Sequence, residues 1–193
     1  MTKGRIEAFS DGVIAIIITI MVLELKVPEG RDLSMLVPLL PVFLSNVLSF
    51  ANVGIYWNNH HHMFHAVKHV GGWVLWANLH LLFWLSLVPF VTGWMGENHF
   101  ETLPVAAYGV VLLCAACAYT LLTRTLLPIH EKDSTLAKAL GRDTKGNISI
   151  VIYVASIVLA FVQPWVACAG YVLVAALWIV PDRRFEKLLS EKT

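Results

Sequence analysis

The sequence of 193 residues contains few charged side chains. They make up 14% of the chain, whereas about 25% is usual in soluble proteins. Hydrophobic residues account for 58%, above the usual share of about 45–50%. Four stretches contain no Asp, Glu, Lys or Arg, namely 33–67, 69–96, 102–123 and 146–181. Because about 20 apolar residues span a bilayer, this pattern predicts a multi-pass membrane protein and excludes a soluble domain.

Cysteines and catalytic motifs are also scarce. The three cysteines, Cys114, Cys117 and Cys168, lie in predicted membrane segments, where a cysteine usually serves as a small packing residue. The chain has no glycine-rich phosphate loop, no His-Glu-x-x-His motif and no nucleophile elbow. These absences argue against an enzyme, and no cofactor is predicted.

The apolar pattern predicts six transmembrane helices, at about residues 5–25, 34–58, 71–95, 104–126, 147–163 and 165–181. The last two share one uncharged run, which would be about 54 Å long as a single helix and is too long for one span. Pro164 interrupts the helical hydrogen-bond ladder, so we expect two short helices in a hairpin. The hydrophilic connection 128–147 is too short to fold alone, so residues 1–193 are interpreted as one six-helix domain.

Lysine and arginine are distributed unevenly between the two sides of the membrane. With six spans, twelve of the 14 lie on the side that holds both termini, and only Lys26 and Arg31 lie on the other. Basic residues concentrate in cytoplasmic loops. The sequence therefore predicts cytoplasmic termini.

Ionisable residues stand inside the first predicted helix, where such residues are usually paired and functional. Arg5 and Asp11 point about 120° apart at 100° per residue, so they cannot pair well within that helix. The predicted orientation places the polar residues 57–62 of helix two and 76–80 of helix three at the same depth. We therefore expect an interhelical polar network, with an ordinary belt of interfacial side chains as the alternative.

The histidines of helix two permit another interpretation. His61, His65 and His69 follow i, i+4, i+8 spacing, which aligns imidazoles on one helical face. A metal site would need further ligands, and helix two contains no carboxylate to supply them. A solvated helix end is the simpler interpretation, and no metal ligand is assigned. A histidine-rich membrane metal-binding protein is kept as the less favoured alternative.

The apolar part of helix one carries a narrow stripe. Gly12, Ile16, Thr19 and Leu23 are spaced by four, three and four residues, with Ile20 at the edge. Periodicity alone favours packing of this stripe against neighbouring helices. The alternative is a pore lining, since a hydrophobic constriction can act as a gate by dewetting.

The sequence resembles the prokaryotic members of the transmembrane protein 175 family of potassium channels over nearly its whole length. The matching motifs are Arg5-x-x-x-Phe9-Ser10-Asp11, Glu24-Leu25-Lys26-Val27-Pro28, Trp57-x-Asn59-His60-His61, Asn78 and Pro89-Phe90-x-Thr92. Three positions depart from the family pattern: His62, His80 and Val91 stand where a basic residue, an aliphatic residue and a proline are expected.

The resemblance implies an all-α membrane protein with six helices per subunit, assembled as a homotetramer in a prokaryotic cell membrane. Helix one would line a central pore for potassium ions, with Ile16 and Leu23 as narrow apolar layers and Thr19 between them. The Thr-Val-Gly-Tyr-Gly filter of ordinary potassium channels is absent. The resemblance also implies a structural network made by Arg5, Phe9, Ser10, Asp11, Trp57, His60 and Asn78.

An ion-coupled secondary transporter is the main alternative to a passive channel. Such a protein would have a midplane substrate site on broken helices. Helices one and two contain no midplane carboxylate, and their prolines, Pro38 and Pro41, lie near the start of helix two.

Overall fold

The computed structural model describes residues 2–28, 30–67, 70–126 and 144–179. The helices in this part of the chain are α1 (Lys3–Leu23), α2 (Leu40–Ala66), α3 (Gly72–Ser86), α4 (Val88–Glu97), α5 (Thr102–Leu126), α6 (Thr144–Ala160) and α7 (Pro164–Ile179), and a 3-10 helix, Leu33–Leu39, leads into α2. Helices α3 and α4 together form one apolar span, Gly72–Glu97. The prediction of an all-α membrane protein with six transmembrane helices is confirmed.

The spans differ in length. Among the described residues, four are long and apolar enough to cross a membrane, namely α1, the 3-10 helix continued by α2, α3 with α4, and α5. Helices α6 and α7 are shorter apolar helices. They pack against each other across a tight turn, in which the Gln163 backbone N–H donates to the carbonyl oxygen of Leu159 at 2.8 Å. The hairpin predicted around Pro164 is thus confirmed.

Helix α5 lies in the middle of the bundle and packs against α3, α4, α6 and α7. Its contact with α7 depends on a residue without a side chain. The Tyr171 hydroxyl lies directly over Gly109 and donates to the carbonyl oxygen of Val105 at 3.1 Å. A Cβ at position 109 would collide with that hydroxyl, so glycine is required for this close approach.

The second helix extends further than predicted at its C-terminal end. It continues to Ala66 rather than ending at residue 58, so that prediction was wrong. The apolar pattern ends near residue 58, because the polar segment Asn58-Asn59-His60-His61-His62 follows, and asparagine and histidine also have weak helix propensity. In the fold, the Tyr119 hydroxyl of α5 donates to the carbonyl oxygen of Asn59 at 3.3 Å, and His60 is buried. Tertiary contacts therefore keep this polar segment helical.

The third span was predicted as one helix over 71–95 and is divided in the structure. Helix α3 ends at Ser86 and α4 begins at Val88. Pro89 has no backbone N–H to donate to the preceding turn, so the ladder is interrupted there. The prediction of one uninterrupted helix was wrong, although the two parts still form a single span.

Residues 127–143 and 180–193 lie outside the described part of the chain. The first of these segments contains most of the connection predicted over 128–147. The assignment of residues 1–193 to one domain therefore stays a prediction.

We expect Gly109→Ala to destabilise the bundle, because the added methyl group must displace Tyr171 from α5. Overpacking of this kind costs about 1–3 kcal/mol. Thermal unfolding in mild detergent would measure the loss. Gly72→Ala is the matched control, since a Cβ there meets nothing within 4 Å. An equal transition temperature for both variants would contradict the proposed contact.

Candidate functional site: the first helix and its polar anchor

Helix α1 has one buried and one exposed face. The buried face packs against α2, α3 and α4. Its members recur every three or four residues and are Ile6, Ser10, Ile14, Ile17 and Met21. Ser10 is the only polar residue among them and is fully buried, with 0% of its surface exposed. A hydroxyl inside a bilayer must find a protein partner, because no water is present to replace one.

Ser10 finds this partner in a chain of hydrogen bonds across three helices. The Asn78 Nδ2 of α3 donates to Ser10 Oγ at 2.9 Å, and Asn78 Oδ1 lies 2.8 Å from His60 Nε2 of α2. Because an amide oxygen can only accept, His60 must carry a proton on Nε2. All three side chains are buried. The sequence predicted that α1, α2 and α3 present polar groups at one depth, and the structure joins them there.

Asp11 forms a second link between α1 and α2. The Trp57 Nε1 donates to Asp11 Oδ1 at 3.0 Å. The carboxylate thus has an indole partner rather than the guanidinium of Arg5. Arg5 and Phe9 are exposed, and the Arg5 side chain has no hydrogen bond or ion pair within the described residues of the subunit. The structure therefore leaves Arg5 and Phe9 outside the network within one subunit.

The residues assigned to a pore lie on the opposite, exposed face of α1. Ile16 is 58% exposed and Leu23 82% exposed, whereas the adjacent Ile17 is 4% exposed. Thr19 is also exposed, and its hydroxyl donates to the Ile16 carbonyl oxygen at 3.0 Å. Because its hydrogen is engaged, the lone pairs of Thr19 Oγ1 remain available to an outside donor or cation.

The other end of α1 is tied to α4 by charged residues just beyond the helix. Lys26 Nζ lies 3.0 Å from Glu97 Oε1. The Glu24 carboxylate rests against Gly93, where a Cβ would come within 2.8 Å of Glu24 Oε2. Partial burial, together with the nearby Glu97 carboxylate, raises the pKa of Glu24 above its ordinary value. Helix α1 is therefore attached at both ends of its buried face.

A further buried polar cluster was missed by the sequence analysis. Ser49 Oγ of α2 lies 2.6 Å from Thr92 Oγ1 of α4 and donates to the Tyr108 hydroxyl of α5 at 3.0 Å. All three are buried. Thr92 belongs to a motif that carries the family resemblance, but Ser49 and Tyr108 were marked only by a hydroxyl within an apolar run. Such residues also face lipid or their own helix, as Ser86 does here.

The histidines at the end of α2 form a row of rings. His61 lies 5.7 Å from His62 and 6.2 Å from His65 between ring centroids, and Trp57 stacks on His61 at 6.0 Å. Within the described residues, no three His, Cys, Asp or Glu side chains are placed to hold one metal ion. His69, the third member of the predicted spacing, lies outside those residues.

The fold and this site define a class: a multi-pass helical membrane protein whose first helix is anchored along one face and exposed along the other. Comparison with known proteins then identifies the family. The model of the family described as endosomal/lysosomal potassium channel TMEM175 matches residues 5–89. A potassium channel of Chryseobacterium sp. is 56% identical over 191 residues, covering 99% of this chain and 100% of that protein.

Two further relatives agree with this match. A potassium channel of Streptomyces collinus is 32% identical, covering 90% of this chain and 89% of its own. The crystal structure of a lysosomal potassium-selective channel TMEM175 homologue from Chamaesiphon minutus superimposes with a TM-score of 0.79 at 28% identity, covering 93% of this chain and 97% of that one. This chain belongs to the TMEM175 family.

Replacing Asn78 with leucine should destabilise the bundle, because Ser10 and His60 would both lose their partner while the volume changes little. Each buried polar group left unpaired costs about 1–3 kcal/mol. The loss would be measured as a lower unfolding temperature in detergent. Asn98→Leu serves as the control, since Asn98 is exposed and bonds only to its own helix. Equal stability of the two variants would show that the buried chain does not anchor α1.

Proposed function

We propose that this chain is a potassium-selective or potassium-preferring channel whose pore is lined by α1 from several copies. The observation that carries the proposal is the asymmetry of α1, which is hydrogen-bonded to α2 and α3 on one face while Ile16, Thr19 and Leu23 are exposed on the other. The named relatives are potassium channels, which also supports a channel over an enzyme or an ion-coupled transporter.

The barrier to ions is a ring of apolar side chains. With four copies around an axis, Ile16 and Leu23 each form one ring. An ion at that level has no ligands, and the free energy of removing its water sets the closed state. The channel conducts when the helices move apart and the ring admits water. No cofactor takes part, and potassium is the permeant ion.

Thr19 lies between the two apolar rings and supplies oxygen. Its hydroxyl hydrogen is engaged by the carbonyl oxygen of Ile16, so the oxygen lone pairs are available to an ion or to water in the pore. Four such oxygens, together with water, replace part of the potassium hydration shell. Weak coordination of this kind lets an ion enter and leave quickly.

The subunits form a homotetramer in the cell membrane, with both termini in the cytoplasm. The orientation is supported by the distribution of lysine and arginine. The tetramer rests on the family resemblance and on the free face of α1, which a single subunit leaves open. In this assembly the network of Ser10, Asp11, Trp57, His60 and Asn78 holds α1 in register and does not touch the ion. Arg5 and Phe9 lie beside it at the cytoplasmic mouth.

The function can be tested with purified protein in liposomes that carry an imposed potassium gradient, using a voltage-sensitive dye. We expect flux at rates far above those of a carrier. Leu23→Asn and Ile16→Asn should raise that flux, because an amide stabilises water in the ring. Since each 1.4 kcal/mol removed from a barrier raises a rate about tenfold, we expect a rise of about tenfold.

Ile17→Asn is the matched control, because Ile17 is adjacent in sequence but buried. It should place an unpaired amide between helices and reduce the yield of assembled protein without raising flux per channel. A faster channel with Ile17→Asn, and unchanged flux with Leu23→Asn and Ile16→Asn, would show that the other face of α1 lines the pore.

A further inference from the structure

Two polar side chains on the helices that flank α1 keep a hydrogen-bonding group without a partner among the described residues of the subunit. One is Asn58 of α2, whose amide has no hydrogen-bond partner among the described residues. The other is His80 of α3, which is exposed on the face turned away from the core. Neither residue belongs to the motifs that carry the family resemblance.

The ring of His80 presents an N–H group to its surroundings. Trp84 Nε1 donates to His80 Nε2 at 2.9 Å, so Nε2 is an acceptor and the neutral ring carries its proton on Nδ1. His80 stands eight residues after the start of α3, about 12 Å along the helix at 1.5 Å per residue. Its exposed N–H is a hydrogen-bond donor that a neighbouring subunit can satisfy.

Asn58 and His80 lie at the same height in the membrane. The His60–Asn78 hydrogen bond of 2.8 Å fixes one level shared by α2 and α3. Asn58 precedes His60 by two residues, and His80 follows Asn78 by two residues. Because α2 and α3 run in opposite directions, both lie about 3 Å from that level on the same side. Two residues also turn a helix by about 200°, so both side chains point away from the anchor.

The symmetry of the proposed channel brings these two residues together. In a ring, one side of each subunit meets the opposite side of the next. With α1 at the axis, bonded to α2 through Asp11 and to α3 through Ser10, the flanks of the subunit are α2 and α3. Rotation about an axis perpendicular to the membrane keeps every residue at its height.

We propose that Asn58 of one subunit accepts a hydrogen bond from His80 of the next subunit, at the seam between α2 and α3. This rests on the proposed tetrameric channel. The Asn58 Oδ1 is an acceptor and the His80 Nδ1–H is a donor, so the two groups are complementary. Exposed apolar residues continue both faces: on α2, Val47 and Phe50 lie about two to three turns from Asn58, and on α3, Trp76 and Phe83 lie about one turn from His80.

Cysteine cross-linking in native membranes tests this seam. Cys114, Cys117 and Cys168 are first replaced by serine, and Asn58→Cys is combined with His80→Cys. Disulfides form when Cα atoms come within about 7 Å. Oxidation with copper phenanthroline should give a ladder of dimer, trimer and tetramer on a non-reducing gel.

Three controls define the background. Asn58→Cys alone and His80→Cys alone should give no disulfide-linked dimer, which is the largest product that one cysteine per subunit can form, because the seam joins unlike faces. The pair Asn58→Cys and Leu173→Cys should also stay monomeric. Leu173 is exposed, but it lies on α7, which is not one of the two helices that flank α1. A dimer from either single variant, or a ladder from the Leu173 pair, would overturn the proposal.

A double-mutant cycle gives an independent measurement that needs no cysteines. The tetramers of Asn58→Leu and His80→Leu should each dissociate at a lower detergent concentration than the wild-type tetramer. The stability lost by the double variant should be no greater than the larger of the two single losses, because either substitution removes the same hydrogen bond. Additive losses, or no ladder while light scattering gives a tetramer mass, would refute the seam and leave the channel intact. A monomer mass for the wild type in mild detergent would instead refute the assembly on which the seam depends.

Discussion

The chain of hydrogen bonds from Ser10 through Asn78 to His60 is the constraint on which the arrangement of the first three helices depends. In a bilayer, apolar contact alone distinguishes poorly between protein and lipid, because lipid tails are as apolar as leucine. A buried hydroxyl, amide or imidazole distinguishes sharply between protein and lipid, since each needs a hydrogen-bond partner that lipid tails do not supply. Once Ser10 is bonded to α3, the rotation of α1 is fixed. The helical period then buries Ile17 and leaves Leu23 exposed.

The same hydrogen bonds also determine what the subunit offers to its surroundings. Asn78 and His60 set α2 and α3 at one height and turn the residues two positions away to the outside. The anchor on the inside and the outward position of Asn58 and His80 are thus consequences of one arrangement. A channel subunit needs both properties, because its pore helix must hold its position while its flanks recognise another copy. Both follow from a few side chains on antiparallel helices.

The sequence predicted most of the side chains in this site, but it did not predict which of them form hydrogen bonds with each other. Polar groups on helices one, two and three were expected at one depth, and the hydrogen bonds of Ser10, Asp11, Trp57, His60 and Asn78 lie there. The pairing depends on side-chain rotation and helix spacing, which a linear pattern does not contain. Asp11 consequently has an indole partner, and Arg5 stays outside the bonded groups. The extension of α2 to Ala66 was missed because tertiary contacts outweigh the weak propensities of asparagine and histidine.

The sequence by itself determined that the chain crosses a membrane, because long uncharged runs are stable in no other solvent, and that its last run folds back at Pro164, because proline interrupts the ladder. It also determined which residues share a stripe on α1, since the helical period is fixed. Only the tertiary structure decided which face of α1 is free. Every face of a membrane helix can be apolar, so composition cannot separate a packed face from an open one. The hydrogen bonds of Ser10 to α3 and of Asp11 to α2 fix the rotation of α1 and so determine which face is exposed.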